Sequence, residues 1–154
     1  MVPAKSFDYS DERYRTLFAN FGFACLKSQA MEKQLSVLVT GISHIGSVKF
    51  GVTDFRSALD ANKQTMGALI KSLKSKMTIP DDLEAMLSKA LDDRNYLIHR
   101  FFISRGLQLG NISATSEMNA QIIGIGNCLA PVGKGVFRRI IRQKTRREHH
   151  EQTP

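Results

Sequence analysis

The chain has 154 residues, enough for one domain with a real core, since a chain of this size hides roughly 70% of its unfolded surface. Trp is absent and the aromatics are three Tyr and nine Phe, so a core built from Leu, Ile, Met, Ala and Phe is expected, which favours helices. The net charge of +8 is uneven: residues 134–154 carry seven basic and two acidic side chains, leaving only +3 on the other 133 residues, so the high pI describes a basic end on a nearly balanced body.

Two cysteines, Cys25 and Cys128, make no disulfide framework, and both sit among apolar neighbours, so each reads as a buried core thiol. Met1 to Ser10 contains no apolar leader core, and no apolar run approaches the ~20 residues of a membrane span. A soluble, cytoplasmic protein is expected.

In chain order, Ser10 with Asp11 and Glu12 resembles a helix start. Tyr14, Leu17, Phe18, Phe21, Cys25, Leu35 and Leu38 then recur at three- and four-residue steps, predicting a helix of about seven turns that ends near Gly41. Gly22 interrupts it and suggests a close helix–helix approach. Gly41 to Gly51 reads as a Gly-rich connector, with His44 an ordinary loop histidine. A second helical region starts near Thr53-Asp54 and runs, with or without a break near Asn62, through Phe55, Leu59, Met66, Leu69, Ile70 and Leu73 to Lys76. Thr78-Ile79-Pro80-Asp81-Asp82 is a strong helix start, with Pro80 at the first helical position and acids at the positive end of the dipole. The helix that follows carries Leu83, Leu87, Ala90, Leu91, Ile98 and Phe102 and runs to about Arg105, before Gly106 and Gly110. A further helix starts near Ser113 or Thr115 and breaks at Pro131 and Gly133. The last helical piece sets Val136, Phe137, Ile140 and Ile141 against a basic side. No segment alternates with period two, so the fold class expected is all-α: a single-domain, antiparallel bundle of four to five helices spanning 1–133, followed by a basic C-terminal helix and polar tail at 134–154.

The chemistry concentrates in Arg94-Asn95-Tyr96-Leu97-Ile98-His99. Asn95 and His99 are four apart on one helical face, and Arg94 lies about 100° round from Asn95, so guanidinium and imidazole flank one groove. A His accepts or donates a proton near neutral pH, and a planar Arg fork suits a phosphodiester oxygen. An Arg beside Asp92 and Asp93 is equally readable as a surface ion pair. Gln29 and Glu32, three apart, share a face of the first helix and read either as groups that hold the Arg or His, or as solvated side chains.

The segment from Arg94 to Phe102 resembles the RNY-L-x-H-R-F-F stretch of bacterial HEPN proteins (higher eukaryotes and prokaryotes nucleotide-binding domain). Phe21-Gly22 with Gln29 and Glu32 resembles the FG-to-Q-x-x-E pattern of the same group, and Thr65-Met66-Gly67-Ala68-Leu69 its T-L-G-x-L segment. The likeness spans residues 14 to 105. It implies a HEPN-like bundle and a metal-independent endoribonuclease, a toxin or defence component, with His99 as general base or acid, Arg94 on the scissile phosphate and Asn95 orienting the His or touching the phosphate. It implies no cofactor and no metal, RNA as ligand, a homodimer with motif helices facing across a two-fold, and a cognate antitoxin or nucleotidyltransferase as partner. The same fold also serves non-catalytic RNA-binding or protein-scaffold modules, for which bulky Ile98 and Phe101 would seal the site in a dimer interface.

Three further strings carry less. The basic stretch Lys134 to Arg147 reads as an RNA-contacting arm, a membrane-surface helix with too small an apolar face, or a packed helix with a solvated basic side. Gly-Lys-Gly at 133–135 lacks the spacing and the hydroxyl of a phosphate-binding loop. His149-His150 has no third ligand in range for a metal.

Overall fold

The structure, a computed structural model, describes residues 10–44, 52–61 and 63–151. All regular structure within them is helical: α1 (Glu12–His44), α2 (Val52–Ala61), α3 (Met66–Lys76), α4 (Asp81–His99), α5 (Phe101–Arg105), a 3₁₀ turn (Gly106–Gln108) and α6 (Ile112–Glu151). The all-α bundle read from the sequence is therefore the architecture. The leader before Ser10, most of the connector before Gly51, Asn62 and the last three residues lie outside the described residues.

Helix starts follow local capping chemistry. Asp11 begins α1, its Oδ1 accepting the Arg13 amide at 2.9 Å and its side chain pairing with the Arg13 guanidinium. Thr65 Oγ1 accepts the Ala68 amide at the start of α3. Pro80 stands one position outside α4, its carbonyl accepting from Leu83 and Glu84, while Asp81, Asp82 and Glu84 occupy the first turn. Asn111 Oδ1 accepts the amides of Ser113 and Ala114, so α6 starts earlier than its hydroxyl residues suggest. His44 belongs to the last turn of α1, where its Nδ1 donates to the Thr40 carbonyl at 2.8 Å.

The long helices α1 and α6 run parallel in a constant register. Tyr14 donates to the Leu109 carbonyl at 2.6 Å, Asn20 to Asn119 at 2.7 Å, and Lys27 to Asn127 at 3.4 Å, an offset close to 100 residues throughout. Helix α4 lies antiparallel to both. Near its end Phe101 and Phe102 meet Phe21, while Arg94, further back, reaches Glu32, later in α1; Asp82 at its start pairs with Arg139, late in α6. Between these helices sits one core, from Leu17, Met31 and Leu35 through Leu69, Leu73, Leu83 and Leu87 to Leu97, Phe101, Met118 and Ile122.

Several expectations shift. On α4 the buried residues are Leu83, Leu87, Ala90 and Leu97, leaving Ile98 39% exposed; on α5 Phe101 is buried and Phe102 only half-buried. A step of seven from Ala90 keeps Leu97 on one helical face, and Ile98 falls off it. Phe101 is thus internal to this chain, not the edge of a sealed interface. Phe18 is also 39% exposed, although its ring packs on Phe102 at 5.6 Å. Cys25 is half-buried, and burial pushes its thiol pKa up, but Cys128 is exposed because its position on α6 faces away from α1. Gly22 faces open space; the close approach is at Gly126, where an added Cβ would meet Ala24 Cβ at 3.5 Å. Pro131 and Gly133 do not end α6, which passes through the boundary at 133.

Among the described residues no helix is long and apolar enough to cross a membrane. Arg138, Arg139 and Arg142 are exposed, as the solvated basic side requires. The apolar side of that segment, and the His149-His150 side chains, lie outside the described residues.

Candidate phosphodiester site on helix α4

Helix α4 ends at His99. Arg100 then leaves helical geometry (φ −125°, ψ −25°) and the chain restarts as α5. The site is therefore the last turn and a half of α4, open to solvent beyond the Arg100 break. Asp92, Asn95, Tyr96 and His99 follow one another at helical spacing and, with Arg100, line a shallow groove of about 580 Å³.

Arg94 lies beside this stripe and reaches across it. Its Nη1 donates to Asn95 Oδ1 at 3.1 Å and lies 3.3 Å from His99 Nε2. A guanidinium has five donors and no acceptor, so Nε2 must face it with its lone pair, and the neutral His99 ring carries its proton on Nδ1. The other terminal nitrogen, Nη2, lies 3.7 Å from Glu32 Oε2 on α1, and both side chains are about three-quarters shielded. The Arg94 Nε is buried with no acceptor among the described residues. Asn95 and His99 themselves are exposed.

All three residues that spacing singled out are thus brought together. Of the two outlying candidates, Glu32 pairs with Arg94, whereas Gln29 is exposed and has no contact at the site. Asp92, Tyr96 and Arg100 were not singled out. The first two share the stripe of Asn95 and His99, a periodicity readable from the sequence; the exposure of Arg100 follows from the helix break, which is not.

Electrostatically the groove is graded. Asp92 stands at one end, two turns before His99, and Arg100 at the other. Tyr96 packs edge-on against Phe101, with ring centroids 5.9 Å apart. Its phenol pKa is held below the ordinary 10.0 first by the Ser104 side chain and then by those of Arg105 and Gln121, against the opposing effect of burial. Among the described residues no group of three or more His, Cys, Asp or Glu converges as a metal site. Compared with known protein families, curated proteins and solved structures, the chain matches none.

Proposed function

We propose that this chain is an endoribonuclease of the HEPN type, cutting RNA by attack of a ribose 2′-OH on the adjacent phosphate. The observation that carries the reading is the Arg94 guanidinium held over both His99 Nε2 and Asn95 Oδ1 at the edge of one open groove. An Nε2 lone pair is what a general base needs. When a phosphate enters, its oxygen takes the Nη1 donor and Nε2 becomes available to the 2′-OH proton. The new bond joins O2′ to phosphorus and the P–O5′ bond breaks. Arg94 offsets the charge that builds on the equatorial oxygens. Asn95 holds the guanidinium across the groove. The leaving 5′ oxygen needs a proton, which a second His99 from a two-fold-related copy would supply, so the reading includes a homodimer. A toxin or defence role in the cytoplasm, restrained by an antitoxin or nucleotidyltransferase, belongs to the same reading.

The test is cleavage of single-stranded RNA with EDTA present. Products ending in 2′,3′-cyclic phosphate and 5′-OH are expected, with at least a ~100-fold loss in His99→Ala and Arg94→Ala. Undiminished cleavage by His99→Ala would sink the assignment.

A binding-only module with the same fold is the second reading. Its supporting observation is the Glu32 carboxylate, which offsets the Arg94 charge that a phosphate would use. RNA binding with no turnover at any pH would favour it.

A further inference from the structure

The break at Arg100 does more than expose His99. In an uninterrupted helix Arg105 would stand about 13 Å further along the axis than Tyr96, on the opposite face. Instead the chain leaves helical geometry at Arg100 and resumes as the single turn of α5. Ser104 and Arg105 of this turn, with Gln121 of α6, lie near enough to the Tyr96 hydroxyl to lower its pKa against the effect of burial. The Tyr96 ring is fixed from behind by Phe101, which is fully buried and stands edge-on to Phe102. The result is a rigid, half-exposed aromatic in the floor of the groove, flanked by two cations.

Among the described residues those cations carry no ion pair. Arg94 pairs with Glu32 and Arg139 with Asp82, but among the described residues neither Arg100 nor Arg105 has a carboxylate within 4 Å. The carboxylate lining the groove, Asp92, lies at its far end. An anionic strand leaving the Arg94–His99 pair is therefore drawn toward Arg100 and Arg105 and away from Asp92.

We infer that Tyr96, Arg100 and Arg105 form a nucleotide subsite beside the Arg94–His99 pair, holding the base and phosphate of a neighbouring residue of single-stranded RNA. The base stacks on the Tyr96 ring, and its phosphate meets the two guanidiniums. A paired base cannot reach a ring in the groove floor without unstacking, so the subsite selects single strands over duplex. The inference rests on the RNA reading of the groove but not on turnover.

The experiment is fluorescence anisotropy with the full chain and a 2′-O-methyl single-stranded RNA oligonucleotide, which has no 2′-OH to attack, titrated at several salt concentrations. Tyr96→Ala is expected to weaken binding about tenfold. Arg105→Gln and the more exposed Arg100→Gln should each weaken it severalfold and flatten the salt dependence by about one phosphate contact, and Arg105→Lys should restore the slope. A duplex of the same sequence should bind more weakly. Arginines that only cap the ends of α4 and α5 would lower the melting temperature and leave affinity and salt slope unchanged; that result overturns the inference. Absence of binding by the unaltered chain at ~50 mM salt, where phosphate contacts are strong, overturns it too. Because the probe is uncleavable, loss of the nuclease reading in the cleavage assay and loss of this subsite remain separate outcomes.

Discussion

The guanidinium of Arg94 is divided among the Asn95 carbonyl oxygen, the His99 ring and the Glu32 carboxylate, and each claim bears on the others. Asn95 and His99 hold it over the groove; Glu32 anchors it from α1 while cancelling part of its charge. A pair at 3.7 Å with partial solvent access contributes at most about 1 kcal/mol, so Glu32→Gln should leave folding nearly intact. Removing a negative charge about 6 Å from a bound phosphate is worth about 0.7 kcal/mol in water, or roughly threefold. Glu32→Gln is accordingly expected to bind the uncleavable oligonucleotide about threefold tighter; weaker binding would mean that anchoring outweighs competition. Arg94, Asn95 and His99 were legible from spacing because all three sit on one helix. Glu32 was visible only as an ambiguous position, since no local rule pairs residue 32 with residue 94.

Among the elements, the parallel pair α1 and α6 positions α4, and the two helices come close at Gly126. The Cβ contacts there, 3.5 Å to Ala24 and 3.6 Å to Lys27, are ordinary van der Waals distances, so an alanine fits while a larger side chain must push the helices apart. Gly22→Ala and Gly126→Ala are each expected to stabilise the fold by roughly 0.5–1 kcal/mol through helix propensity. Gly126→Leu should instead destabilise by about 1–3 kcal/mol. Urea unfolding midpoints distinguish these cases, and a stabilising Gly126→Leu would contradict the packing. The sequence marked Gly22 because it interrupts an apolar stripe, yet an interruption says nothing about which face the partner covers. The passage of α6 through Pro131 was equally hidden. Lys27 meets α6 through Asn127 before the proline and Asp82 meets it through Arg139 beyond, so tertiary contacts lie on both sides of a residue that local rules read as a helix end.

Across the whole molecule the charge asymmetry becomes a contact: the basic end of the chain returns to the acidic start of α4 through Arg139 and Asp82. The Arg139 guanidinium holds the Asp82 carboxyl below its ordinary 3.8, and Arg13 does the same for Asp11. A carboxyl depressed in the folded state adds stability that is present above the unfolded pKa and lost as pH falls through the folded one. Asp82 is exposed and Asp11 sits partly exposed at the start of α1, so the contribution is small and weakened by salt. The urea midpoint is expected to fall as pH drops below about 4, and less steeply in Asp82→Asn. A decline of the same steepness in that variant would remove the pair from the account.

By itself the sequence determined the helical class, the acidic first turn of α4 and the cluster of Arg94, Asn95 and His99. Each of these is set by interactions within a few residues along the chain: dipole complementation and 3.6-residue periodicity. Only the tertiary structure decided that Glu32 meets Arg94, that α6 continues through Pro131, that Phe101 is core while Cys128 is exposed, and that the chain breaks at Arg100, with Arg105 near Tyr96. Those outcomes depend on which helix faces cover one another, and burial is shared between segments about 60 to 100 residues apart, beyond the reach of local propensity.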